Sequence, residues 1–220
     1  MSVVYLPLVG TIIGLIIGMF YALSSVILTH QLAILLSMAL SVYLTGAIHE
    51  DGFADTCDGF GAGWNKEQIL SIMKDSQLGT YGVLGLIFIL LLKFFCLNHL
   101  PQGSIISSLI ISHSLSRLIP VMIIYFGEYV SYNLDSKSKP LSQKITTTQL
   151  CCSLLFGLAP IIFLLPSKIV TSLFFCLILA AIFRNYFHRK IEGFTGDTLG
   201  AAQQLSEILI YLYFCSHFLN

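Results

Sequence analysis

Apolar stretches close to membrane-spanning length recur along this chain at about 3–26, 31–48, 79–97, 103–126, 148–166, 168–183 and 198–218, and roughly 20 such residues on a helix cross the hydrocarbon core of a bilayer. None of these windows shows strand alternation. The expected fold is therefore all-α: a polytopic integral membrane protein of about seven transmembrane helices, with residues 1–220 forming a single domain embedded in the lipid bilayer. The tight junction at Pro166 leaves open a hairpin that only partly crosses. Composition agrees, at 56% hydrophobic and only 10% charged residues, against roughly 25% charged in soluble domains. With 11 basic and 11 acidic side chains the formal net charge is zero, so no global field draws the chain to nucleic acid. The first apolar run lacks a basic leader and is too long for a signal peptide, so it reads as a retained helix. The six cysteines lie mostly in apolar runs without metal-ligand spacing, and no disulfide is inferred.

Basic residues between the windows set the orientation, because cytoplasmic loops carry the Lys and Arg excess. Lys66 and Lys74 follow the second window, Lys137, Lys139 and Lys144 the fourth, and Arg184, Arg189 and Lys190 the sixth, whereas the alternate loops offer only Lys168. The three basic loops and the N-terminus are thus expected on one face, the cytoplasmic side of the cell's inner membrane. A carboxylate-rich segment, His49-Glu50-Asp51-Gly52-Phe53-Ala54-Asp55-Thr56-Cys57-Asp58-Gly59, shares that face. On a helix Asp51, Asp55 and Asp58 project from one side, and like charges so placed call for a cation. Carboxylate oxygens suit Mg²⁺ or Mn²⁺. Gly52, Gly59, Gly61 and Gly63 nearby would let a backbone or a phosphate approach closely. His49 adjoins the cluster as either an orienting or a catalytic group.

Residues 64–76 are too short and polar to span, and Ile69, Leu70, Ile72 and Met73 give them one apolar side, as in a helix lying at the membrane interface. Lys74, Asp75 and Ser76 then place a cation, a carboxylate and a hydroxyl at the mouth of the next spanning helix. Asp75 is a candidate metal ligand or general base, and a helix cap is the structural alternative. A further polar run, Gly193-Phe194-Thr195-Gly196-Asp197-Thr198-Leu199-Gly200-Ala201, opens the last helix, where Thr195 or Asp197 would serve as a cap. Glu207 lies about 15 Å further along that helix and should face a polar cavity or a partner. Arg117, with His113 one turn away, is expected either to pair with Glu207 or Asp197 or to contact a phosphate. Lys93 reads as a side chain that snorkels to the headgroups. His30, His99 and His217 are assigned no role.

Three segments in order, His49-x-Asp51-Gly52-x-x-Asp55-x-x-Asp58-Gly59, Met73-Lys74-Asp75-Ser76-x-x-Gly79-x-x-Gly82 and Thr195-Gly196-Asp197-x-Leu199-Gly200-Ala201, resemble those of the cobalamin synthase family, the adenosylcobinamide-GDP ribazoletransferases. The resemblance runs from about Leu6 to Leu212 and is loose between Tyr125 and Lys144. It implies a Mg²⁺-dependent enzyme that joins adenosylcobinamide-GDP to α-ribazole or α-ribazole 5′-phosphate and releases GMP. Metal would then sit on Asp51, Asp55 and Asp58, with Asp75, then Asp58, as the proton acceptor. Lys74, Ser76, Arg117, Arg184, Lys190 and Gly196 become substrate contacts, Glu207 lies toward the substrate, and Asp197 is a further ligand or a clamp on a substrate hydroxyl. A homo-oligomer is left open.

The chain departs from the family's usual pattern in starting almost at Pro7, in carrying Lys74 and Gln77 where arginine is common, and in placing Glu192 where glycine is frequent. The reaction type also resembles that of the CDP-alcohol phosphotransferases, and Asp55-x-x-Asp58-Gly59 matches the start of their motif, but no Ala-Arg follows. A lipid-directed transferase of that kind is therefore one alternative. A divalent-cation transporter is another, but it would spread acids through the bilayer, whereas six of the eleven acids here fall between residues 50 and 75.

Overall fold

The computed structural model describes residues 2–130 and 144–217; Lys137 and Lys139 lie outside them. Nine α-helices are present among the described residues: α1 Leu6–Ser24, α2 His30–Thr45, α3 Ile48–Ala62, α4 Lys66–Lys74, α5 Thr80–His99, α6 Ile105–Phe126, α7 Thr147–Leu164, α8 Ile169–Ile191 and α9 Gly196–His217. The all-α expectation holds, and the one β-bridge among the described residues joins Tyr129 to Phe194.

The number of spans differs from the expected seven. Five helical segments are long and apolar enough to cross a membrane on their own, and a sixth is reached if α2 and α3 form one broken span, the two being bent by 88°. Two left-handed residues in succession make that bend, Gly46 at φ 64° and Ala47 at φ 57°. For alanine the conformation costs about 1–2 kcal/mol, so the packing on either side must hold it. Helix α9 falls short of the apolar threshold because Asp197, Gln203, Gln204 and Glu207 interrupt it. Its polar side chains face protein: Gln203, Gln204, Ser206 and Glu207 are all buried.

Helix α6 is the axis of the bundle, with every residue from Ser108 to Ile124 buried. Helix α1 runs antiparallel against it along a seam of glycines. A Cβ on Gly10 would collide with the His113 carbonyl, one on Gly14 would lie 2.7 Å from the Ile110 Cα, and one on Gly18 would lie 3.1 Å from the Ile106 side chain. Where lipid is the solvent, such close backbone approach supplies the van der Waals contact that joins helices. Ser114 extends the seam, accepting from Thr11 at 3.1 Å and donating to the Gly157 carbonyl at 3.1 Å, so α1, α6 and α7 meet at one point.

Helix α4 uses its apolar side differently from expectation. Ile69 and Met73 are buried with Ile191 of α8, and a Cβ on Gly59 would lie 2.5 Å from Met73 Cγ. The apolar side therefore rests on α3 and α8, because the glycines of α3 leave a flat surface for it. Lys66 then reaches Glu192 at 2.6 Å. Glu192 is the left-handed residue that ends α8, at φ 62°, a position that favours glycine. The Lys66 ammonium, hydrogen-bonded to it, holds the Glu192 carboxyl below its ordinary range.

The described ends of the loops after α6 and α8 meet. Val130 donates to the Phe194 carbonyl at 2.8 Å and Phe194 to the Glu128 carbonyl at 2.9 Å, while Arg184 Nε donates to the Phe126 carbonyl at 2.7 Å. The chain just after α6 is thus tied to α8 and to the turn that leads into α9.

Candidate active site

The acidic face of α3 is graded in exposure, with Asp51 exposed, Asp55 intermediate and Asp58 buried. Asp58 accepts the Gly79 N–H on Oδ2 at 2.8 Å and the Gly82 N–H on Oδ1 at 2.9 Å. The first N–H groups of a helix have no partner within it, and a carboxylate is favoured at that positive end. Asp58 therefore caps α5 from across the helix pair. The two glycines are explained by the same contact, since a Cβ on either would strike the Asp58 carboxylate.

A second close approach brings α9 to the cluster. A Cβ on Gly52 would lie 2.8 Å from the Asp197 Cα and 3.0 Å from its carbonyl oxygen. Thr195 and Thr198 cap the start of α9 reciprocally, through Thr195 N–H to Thr198 Oγ1 at 2.8 Å and Thr198 N–H to Thr195 Oγ1 at 3.3 Å. Asp197 lies between these two residues, in the first turn of α9. The carboxylates of Asp197, Asp51 and Asp58 are the charges that act on Asp55 through space. Gly52→Ala should push α9 off α3, lowering stability by about 1–3 kcal/mol as overpacked seams do; a thermal midpoint equal to the parent's in detergent would show that the seam tolerates a methyl.

Beside this cluster lies a cavity of about 240 Å³ lined by His49, Arg117, Gly196, Asp197 and Gln203, with Leu6, Pro120 and Ile124 as its apolar wall. The structure thus brings together four of the residues picked out in the sequence, from α3, α6 and the start of α9. Arg117 is buried, its Nη1 3.0 Å from both the His113 carbonyl and His113 Nδ1, which fixes the guanidinium toward the cavity.

Behind it runs a polar ladder. Lys93 Nζ lies 3.1 Å from Glu207 Oε1 and donates to Gln204 Oε1 at 2.6 Å. Gln204 donates to Glu50 Oε1 at 2.9 Å, and Gln203 donates to Glu207 Oε2 at 2.8 Å and to Ser116 at 3.0 Å. Lys93 therefore does not snorkel. It is buried, because α5 runs antiparallel to α3 and beside α9, which turns Lys93 inward toward a counter-ion. Glu207 pairs with Lys93, with His113 Nε2 at 3.7 Å, and does not line the Arg117 cavity. The roles of Glu50, Lys93, Gln203 and Gln204 were missed by sequence reasoning; the signal was a lysine and two glutamines inside otherwise apolar helices.

The remaining candidates sit at the rim. Asp75 ends α4, is exposed, and accepts the Gln77 N–H at 3.1 Å, with Lys74 and Ser76 exposed beside it. This turn lies between Met73, packed on Gly59, and Gly79, held by Asp58. Arg184 lines a separate cavity of about 210 Å³ together with Lys144 and His188. Lys190 stands 5.9 Å over the Phe60 ring, on the side of α3 turned away from the carboxylates. Among the described residues no three His, Cys, Asp or Glu side chains converge into a ready-made metal site. The donor chemistry nevertheless suits a hard cation: Mg²⁺ is commonly held by one or two carboxylates with water and substrate phosphates completing its shell.

Buried charge among several apolar helices, with acidic side chains and glycines along one of them, defines a helical protein of membrane type. The family model described as cobalamin-5-phosphate synthase matches residues 1–215, and the chain belongs to that family. It is similar to the adenosylcobinamide-GDP ribazoletransferase of Vibrio cholerae serotype O1 (strain ATCC 39541 / Classical Ogawa 395 / O395), 42% identical over 209 residues, 94% of this chain and 80% of that protein. Proteins of the same name from Shewanella frigidimarina, at 42% identity over 211 residues, and Shewanella sp. (strain W3-18-1), at 43% over 211, each cover 94% of this chain and are themselves covered to 81% and 80%. No solved structure matches.

Proposed function

We propose that this enzyme transfers the phosphocobinamide group of adenosylcobinamide-GDP to α-ribazole or α-ribazole 5′-phosphate, releasing GMP and forming adenosylcobalamin or its 5′-phosphate, with Mg²⁺ as cofactor. The family and the names of its relatives support the reaction. The observation that carries the site is the close approach of Asp197 to Gly52, which sets the start of α9 against the carboxylate helix, next to a cavity lined by Asp197 and the buried Arg117. Asp51 and Asp55 would hold the metal with Asp197; Asp58 keeps lone pairs for it while anchoring α5. Bound there, Mg²⁺ supplies charge neutralisation and polarisation of the diphosphate.

The chain's own residues account for the rest. Arg117 faces the transferred phosphate as a planar, fixed donor, and the Gly196 backbone, which lines the same cavity, leaves room for it. His49, lining the same cavity, orients the bound phosphate. Asp75, at the rim and without a cationic partner among the described residues, takes the proton of the attacking ribazole hydroxyl. Lys74 lies beside it to steer the anionic donor. This arrangement operates at the cytoplasmic face of the inner membrane, where both soluble substrates arrive.

Purified protein incubated with adenosylcobinamide-GDP and α-ribazole should release GMP in Mg²⁺, stop on chelation and resume when Mg²⁺ is restored. Absence of GMP in Mg²⁺-replete conditions would remove the assignment, and release that survives chelation would remove the metal.

A further inference from the structure

The family description names a cobalamin 5-phosphate whereas the relatives' names specify only ribazole, and the two proposed acceptors differ by one phosphate. The second cavity, of about 210 Å³, supplies a place for it. Lys144, Arg184 and His188 line it, together with Phe126, Gly127, Glu128, Gly193 and Phe194. Arg184 is set in advance: Nε donates to the Phe126 carbonyl at 2.7 Å and Nη1 to Asn185 Oδ1 at 3.2 Å. Neither Arg184 nor Lys144 has an acidic partner within ion-pair distance among the described residues. Glu128 lines the same cavity and Glu192 lies near His188, so the cations are partly balanced and the site is not a general anion trap. Phe194 lines this cavity and Gly196 the Arg117 cavity, so one short stretch of chain contributes to both.

We propose that the Lys144–Arg184–His188 cavity binds the 5′-phosphate of the acceptor and sets the enzyme's preference for phosphorylated over unphosphorylated α-ribazole. The inference rests on the proposed reaction. A phosphomonoester carries about −1.5 to −2 charge and three acceptor oxygens, a match for a guanidinium held in place, a lysine and an imidazole. The donor's diphosphate, by contrast, belongs with the carboxylates of α3.

The test measures kcat/KM for α-ribazole and for α-ribazole 5′-phosphate, at saturating adenosylcobinamide-GDP, in the parent, Arg184→Ala and Lys144→Ala. The ratio favouring the phosphorylated acceptor should fall at least tenfold in Arg184→Ala and severalfold in Lys144→Ala, carried by KM. Arg184→Lys, which keeps the charge but loses the fork, should retain part of the preference. Equal loss with both acceptors, no loss with either, or a raised KM for the donor instead would overturn the assignment. In each of those cases GMP release by the parent still supports the reaction, whereas no release by the parent with either acceptor rejects the reaction itself.

Discussion

Asp55→Asn should lower GMP release by about 10³-fold or more, equivalent to roughly 4 kcal/mol of transition-state stabilisation. Asp55 is half-buried on α3 and stands within the field of three other carboxylates, one of them delivered by α9. The amide has nearly the same shape but removes the negative oxygen that a divalent ion needs. Because burial first, and then the neighbouring carboxylates, disfavour a charge there, the variant should fold at least as well as the parent. The paired measurement is therefore turnover against thermal midpoint: rate lost, stability kept. Turnover within tenfold of the parent would take Asp55 out of the metal centre, leaving Asp51 and Asp197 to be tested the same way.

The second large effect concerns stability. Lys93→Ala would leave the Glu207 carboxylate buried without its ion-pair partner at 3.1 Å, and removing one member of a buried pair destabilises by about 3–5 kcal/mol. Unfolding in detergent should show a midpoint many degrees lower. Pairing Lys93→Met with Glu207→Gln removes both charges while keeping an amide for Gln203, and should recover most of the loss. A single variant that melts with the parent would show that the pair does not hold α5 to α9. Failure of the double variant to recover would place the stability in the glutamine rungs instead.

Much of this arrangement was legible in the chain. The windows located α1, α5, α6, α7 and α8 because their apolar runs are continuous, and the spacing of Asp51, Asp55 and Asp58 placed them on one helix. The acidic and 195–201 segments converge as expected, since Gly52 lets α9 approach. What local pattern did not reveal is pairing across helices. Lys93 looks like an end-of-helix lysine until Glu207, more than a hundred residues later, is packed beside it. Asp58 reads as one of three equivalent acids until the start of α5 supplies two N–H donors to it. The bend at Gly46–Ala47 was hidden because alanine gives no sign of a left-handed backbone. The Glu192 departure became intelligible only with its φ in view: a residue strained at the end of α8 is also the one that clasps Lys66.

The polar ladder also imposes an order on biogenesis. A ribosome makes Lys93 and Arg117 well before Glu207, so two cations enter the bilayer on α5 and α6 while the acid that pairs with Lys93 is still unsynthesised. Helix α9, made after both, completes the ion pair and brings Asp197 against α3. Assembly of this end must therefore wait for α9, and a chain stopped short of it would carry an unpaired buried lysine, the kind of defect by which membrane quality control marks an unfinished product.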